Sequence, residues 1–530
     1  MRKLLLASLA MGTLLLLLGA PAGARVESGG TPQGYIVVFN QPGSIPANAP
    51  QLVAAAGGTI DVRWDQIGAL RASSADPAFA QQLSRNAAVH AVSVDAAPRW
   101  VPTPEQLSGD AAPASAENNG GTYSPTGPDP QPMPDALGRE QWDKMRMNAT
   151  VTGSYAVQRG RRDVVVAFLD TGVEIAHLDI APNLDVVRSR SFVPWEPDID
   201  DHHGHGSWIA SAIAAPINGI GISGVAPEVT LVSLKVCGVL PSPPFLPFTA
   251  TCPFSSIIAA MYYSALNRFD VASMSIGGYL NHTQYNAFWV ALNRAVQFMR
   301  QNGVLPVAAL GNDGLDLSFG GFMRDWKATP AEVPGVVGVS ATGYRDDKAF
   351  YSNYGVDATD VSAPGGSTRD YSGVPGSGEA PGYRGLGRVL GAWSSESVFA
   401  LFPPDQREEQ CFGTDPNDTV CSYYAWVQGT SMATPHVSGV AALIISQYGD
   451  FESRNPNHAH MAPTKIEQIL QITANNQPCP EPRTVVQGPG MPIPVAVCQG
   501  QTGFNNFFGK GIVDALKAVT FHTQGPPVGG

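Results

Sequence analysis

Charge is scarce in this chain. Only 14% of its 530 residues are Asp, Glu, Lys or Arg, against 44% hydrophobic. That balance excludes a disordered or coiled-coil protein and leaves ample material for a large core. With 32 basic against 44 acidic residues, a formal net charge of −12 and no Lys/Arg run, nothing is built to hold nucleic acid. No later segment reaches the roughly 20 apolar residues that a bilayer span requires. Cysteine is limited to six, none in a Cys-x-x-Cys spacing, which argues against zinc. EF-hand spacing and internal repeats are also missing.

What is present begins with Arg2 and Lys3, an apolar run from Leu4 to Leu18, and small residues at Ala22-Gly23-Ala24. This is the pattern of a secretory signal over residues 1–24, so a secreted, extracellular chain is expected. In that compartment an even cysteine count reads as disulfides. Of the 15 connectivities that six cysteines allow, three local pairs are favoured: Cys237–Cys252, Cys411–Cys421 and Cys479–Cys498. Each brackets a Pro- or Gly-containing stretch.

The rest divides by pattern. Strand-like Gly34–Phe39, a turn into a strand over 57–62, a helix over 76–86 with Asp76 as cap, and a strand over 91–95 make a small α+β unit ending near Trp100. Residues 101–138, rich in Pro, Gly, Ser and Asn, read as an exposed linker. From 139 to 522 apolar strands (164–169, 229–236, 270–276, 304–309, 336–339) alternate with helices (206–215, 255–268, 285–301, 431–447). Such alternation predicts an α/β fold with a parallel sheet covered on both faces. Residues 365–425 interrupt it as a long insertion, and 523–530 form a tail.

Three short motifs carry chemistry. Asp170-Thr171-Gly172-Val173 ends an apolar strand, where α/β sheets place their sites. Gly204-His205-Gly206-Ser207 opens a helix, and Gly429-Thr430-Ser431-Met432-Ala433-Thr434-Pro435-His436 opens another. Each alone is ambiguous: a strand-end acid is often a turn residue, and a Ser at a helix start is often an N-cap. Together they supply a nucleophile, a base of suitable pKa and an orienting carboxylate.

The segments DTGV, GHGS and GTSMATPH, in the order Asp, His, Ser, resemble the signatures of the subtilisin-like serine proteases, the subtilases. His177-Leu178-Asp179, Gly224-Val225-Ala226-Pro227, Met274–Gly278, Ala308–Asn312, Phe350–Gly355, Ser362–Gly365 and Gly511–Ala515 are also family-like. The resemblance implies a subtilisin-like three-layer fold and a serine endopeptidase with Asp170, His205 and Ser431 as triad. It implies Asn312 as oxyanion stabiliser beside the Ser431 N–H. It gives Ser275, Ile276, Gly277, Gly278 and Leu310 to the substrate, with the strand edge pairing to an extended peptide. It implies a small ferredoxin-like prodomain over 25–100, an intramolecular inhibitor and folding assistant whose tail fills the site until cleaved. No cofactor is required for catalysis, structural calcium is frequent in the family, and a monomer acting on proteins or peptides is expected.

Two departures stand out. Trp208 replaces a non-catalytic His of the common pattern, and Leu310 replaces a small residue near the substrate pocket. His202, His203 and His205 lie beside Asp198, Asp200 and Asp201, a cluster that reads as a polar loop or a metal site. Asn148, Asn281 and Asn417 stand in N-x-T sequons. An esterase is disfavoured because its GxSxG motif would precede Asp and His. The remaining alternative is a catalytically inactive binding protein on a subtilase scaffold.

Overall fold

Tyr35, Val37 and Phe39 point to one side of a strand and Ile36 and Val38 to the other, and each set enters a different core. The computed structural model describes residues 31–103, 106–107, 133–240, 249–318, 325–368, 387–395, 402–412, 419–451, 460–487 and 491–521. The signal and tail lie outside them.

The N-terminal unit runs β1 (Gln33–Phe39), α1 (Ala49–Ala55), β2 (Gly58–Trp64), β3 (Ala69–Ser74), α2 (Phe79–Ser84), β4 (Val89–Val94). Its antiparallel sheet has the order β2-β3-β1-β4, the ferredoxin-like arrangement. Asp76 Oδ1 accepts from the Ala78 N–H at the start of α2. One sheet face packs on the unit's own helices, and the other faces the large domain. α1 and β3 were not legible: the first is a polar, Ala-rich stretch, and the second carries Arg and two Ser among six residues.

The large domain begins with the short helix α3 (Trp142–Arg146) and strand β5 (Val165–Asp170). β6 (Arg190–Ser191), α4 (His205–Ala214), β7 (Thr230–Lys235), α5 (Phe254–Asn267) and β8 (Val271–Met274) follow. Next come β9 (Gly278–Asn281), α6 (Asn286–Gln301), β10 (Leu305–Ala309), β11 (Trp326–Thr329), β12 (Val337–Thr342) and β13 (Val361–Pro364). The seven-stranded sheet has the order β13-β12-β10-β8-β5-β7-β6, and its pairings are parallel. Val165, Ala167 and Leu169 face α5 and α6, while Val166 and Phe168 face the opposite core. This is the period-2 alternation of a doubly covered strand.

Within the stretch 365–425, read as a long insertion, the structure has regular elements that were not predicted. β14 (Val389–Trp393), β15 (Arg407–Phe412) and β16 (Val420–Val427) form an antiparallel sheet in the order β14-β16-β15. Helix α7 (Thr430–Tyr448) follows at once, then α8 (Pro463–Thr473). β14 is buried throughout and packs on α4. The three disulfides are the local pairs Cys237–Cys252, Cys411–Cys421 and Cys479–Cys498. The supposed linker is partly buried at its start: Val101 is 7% exposed and Leu107 is fully buried, while Gln106 is exposed.

Candidate active site

β5 is flanked by β7 on one side and β8 on the other, so the chain reverses its direction of sheet growth here. Ligands of open α/β sheets bind outside the carboxyl ends of strands at such a switch point. Asp170 ends β5, and Ser275 follows β8 directly. His205 is the first residue of α4, and Ser431 the second of α7; the two helices pack together.

Asp170 is 1% exposed. Its Oδ1 accepts from the Thr171 N–H at 2.8 Å and from His205 Nδ1 at 2.7 Å. A carboxylate only accepts, so Nδ1 carries the proton and Nε2 keeps its lone pair. Nε2 makes no hydrogen bond among the described residues. Ser431 Oγ does not reach it here; it donates to the Ser275 carbonyl at 2.8 Å, and Ser275 Oγ returns a bond to the Ser431 carbonyl at 2.8 Å. The second bond has a cause in the sequence. Pro435, inside α7, has no N–H to give to the carbonyl four residues back, so the Ser431 carbonyl is open to Ser275.

Asn312 Oδ1 accepts from the Thr430 N–H at 2.8 Å and from Thr430 Oγ1 at 2.9 Å. A backbone N–H donates only, so the oxygen must face Thr430 and Nδ2 is turned away as a donor. Leu310 is 1% exposed, in the same core as Ile276, with Cδ2 toward Gly338.

The N-terminal unit's tail lies between two walls of this site. Cys252 N–H donates to the Pro98 carbonyl at 2.9 Å, Phe254 N–H to that of Ala96 at 2.9 Å, and Gly277 N–H to that of Trp100 at 3.0 Å. The tail is thus held between them by main-chain bonds. The Trp100 ring lies 5.5 Å from Phe254 and 6.0 Å from Phe288, which stack at 3.9 Å. A Cβ on Gly278 would sit 2.4 Å from Trp100 Nε1, so only glycine leaves room for the indole. Asp95 accepts from Ser255 N–H and Oγ at 2.9 and 2.7 Å, capping the start of α5.

Asp201 was read as part of a cluster forming a polar loop or a metal site; it ties two site loops together. Its Oδ1 accepts from Thr171 Oγ1 and from the N–H groups of His203 and Gly204; its Oδ2 accepts from Ser207 N–H and Oγ. Burial raises its pKa, but the Gly204 and Ser207 amides outweigh that and leave it lowered. These bonds give Asp201 to the head of α4 rather than to a cation. His203, 1% exposed, is held down at about 4 by burial. Trp208 fits the inserted sheet: Nε1 donates to the Ala425 carbonyl at 3.3 Å, and the ring covers Gly391, where a Cβ would meet Nε1 at 2.4 Å. Of the sequons, Asn148 Nδ2 is engaged by Asp514, Asn281 Oδ1 accepts from the Thr283 and Gln284 N–H groups, and Asn417 lies outside the described residues.

A carboxylate-bound imidazole at the head of one helix, packed against a second helix that opens with a serine, is an arrangement that serine hydrolases use. The family model described as the subtilase family, Peptidase S8, matches residues 161–511. Alkaline elastase YaB of Bacillus sp. (strain YaB) is 31% identical over 314 residues, 58% of this chain and 61% of that protein. Subtilisin DY of Bacillus licheniformis is 30% identical over 286 residues, 54% of this chain and 78% of that one. The match thus spans about three fifths of the elastase's length. The epidermin leader peptide processing serine protease of Staphylococcus aureus shares the fold at a TM-score of 0.62, with 19% identity, covering 93% of this chain and 100% of that one. This chain belongs to the subtilase family, a family of serine endopeptidases.

Proposed function

We propose that this subtilase is exported and cuts extended polypeptide segments through an acyl-enzyme on Ser431. The observation that carries this reading is the Asp170–His205 pair at 2.7 Å, which fixes the tautomer needed for a general base. Ser431 Oγ turns from the Ser275 carbonyl toward His205 Nε2, gives up its proton there and attacks the peptide carbonyl. His205 then passes that proton to the leaving amine, and water repeats the sequence on the ester. The carbonyl oxygen becomes an oxyanion held by Asn312 Nδ2 and the Ser431 N–H, donors that are already oriented. Substrate lies where residues 96–100 lie, paired to Gly277 and Cys252, with an aromatic side chain favoured against Phe254 and Phe288. Residues 25–100 act as inhibitor and folding assistant, and cleavage within 101–138 releases the enzyme.

The chemistry needs no cofactor. Structural calcium is common in the family; among the described residues the one group of three His, Cys, Asp or Glu side chains close enough to share an ion is Glu409, Cys411 and Cys421, and its cysteines form a disulfide. No step runs through a metal.

A serine-directed phosphonate tests the assignment. It is expected to add one label, mapped to Ser431, and His205→Ala should abolish labelling while leaving the fold's melting transition in place. Labelling at another serine would overturn the assignment.

A further inference from the structure

One phenol joins the substrate-pairing strand to the loop that bears Asn312. Tyr279 follows Gly278 in β9. Its hydroxyl donates to Asp313 Oδ2 at 2.5 Å and accepts from Asn353 Nδ2 at 2.7 Å. Asp313 is the next residue after Asn312. Asn353 holds the same loop along its length: Nδ2 donates to the Leu310 carbonyl at 2.8 Å, and Oδ1 accepts from the N–H groups of Asp313 and Leu315 at 3.2 and 2.9 Å. Its backbone N–H donates to the Gly311 carbonyl at 3.0 Å. On the other side, Thr430 Oγ1 accepts from the Gly311 N–H at 3.1 Å and grips Asn312 Oδ1.

We propose that Tyr279 is a positioning residue that couples peptide pairing on Gly277 and Gly278 to presentation of the Asn312 amide. The inference rests on the oxyanion role given to Asn312 above. A hydroxyl meets both demands of the site at once, donating to a carboxylate and accepting from an amide. Burial and the Asp313 charge push the phenol well above its ordinary pKa of 10.0, so it stays protonated and remains a donor. Phenylalanine would fill the same space, yet leave the Asp313 oxygen and one Asn353 N–H without this partner. Burial already raises Asp313, and loss of its donor would loosen the loop one residue from Asn312. Placement errors well under an ångström matter for a donor that must meet charge developing in the transition state.

The test measures kcat and KM on a peptide amide for wild type, Tyr279→Phe, Asn312→Ala and the double variant. Rates are normalised to titrated active sites, and variants that do not process themselves are cut by a trace of wild-type enzyme. Tyr279→Phe is expected to lower kcat by about tenfold, less than loss of the donor itself, with KM nearly unchanged. The double variant should be no slower than Asn312→Ala alone, because Tyr279 acts through Asn312. A raised KM with intact kcat would make Tyr279 a wall of the groove and overturn the inference, as would an additive loss in the double variant. If Asn312→Ala itself kept full kcat, the oxyanion assignment would fall and this inference with it.

Discussion

At the residue scale, Pro435 and Thr430 explain how a flexible serine and a flexible amide acquire fixed directions. Pro435 opens the Ser431 carbonyl to Ser275, and Thr430 turns Asn312 so that its nitrogen points away. Replacing Asn312 by Ala should therefore lower kcat by about 10²–10³ with little change in KM, the scale measured in subtilisin itself; an unchanged kcat in steady-state assays would refute the role. Buried histidines give a second expectation. Burial holds His177 and His203 at about 4, below the roughly 6.5 of an unfolded chain. Between those values the unfolded form binds protons that the folded form refuses. Their stabilising contribution is thus complete above pH 6.5 and lost as pH falls toward 4. His177→Gln should flatten the fall in melting temperature across that window, and an unchanged slope by calorimetry would contradict it.

At the element scale, the inserted sheet matters most. It covers α4, and Trp208 fills the gap between them. Trp208→Ala should destabilise by about 3–5 kcal/mol, as for other large buried side chains, read as a shift in denaturant midpoint; a shift under about 1 kcal/mol would mean the sheet is loosely held. The four helices predicted and the starts of five strands of the parallel sheet were legible to a residue, because buried strands are continuous apolar runs and the helices between them are long, whereas β6 and β13, two and four residues long, were not read as strands. Asp170, His205 and Ser431 stood out as candidates because each sits at an element end within two residues of a glycine. β14–β16 were missed because Gly, Pro and Ser crowd the stretch and the strands alternate only in part, as the burial of Val420–Val427 shows. Tyr279 was invisible as a site residue, since it acts by partners remote in sequence; Asp201 was named only in a candidate polar or metal cluster, and its bond to Thr171, 30 residues away, was not legible. Trp208 was noticed as a departure, but its cause lies more than 180 residues away, at Gly391.

At the scale of the whole molecule, the N-terminal unit and the large domain share one core, into which Ile36, Val38, Trp64 and Trp100 insert. Polar clamps frame that contact. Arg294 Nη1 donates to the carbonyls of Phe39 and Ile67 at 2.9 and 3.1 Å, Asp95 caps α5, and Ser93 Oγ accepts from the Ala287 N–H at 3.0 Å, capping α6. Charge-assisted bonds contribute about 1.5–3 kcal/mol each. Arg294→Ala should accordingly weaken inhibition by the isolated 25–100 segment by roughly 10- to 100-fold. It should leave kcat on small peptides unaltered, since Arg294 lies outside the groove; an unchanged inhibition constant would remove Arg294 from the interface account.

The most direct test of peptidase function follows purified precursor beside Ser431→Ala, recording chain mass over time and casein cleavage. The expected result is that wild type shortens to a species beginning within or just after residues 101–138 and digests casein, while the variant does neither. A variant that shortens at the same rate would assign maturation to another protease. Wild type that matures yet cleaves neither casein nor any member of a peptide library would contradict the enzyme and leave a binding protein on a subtilase scaffold.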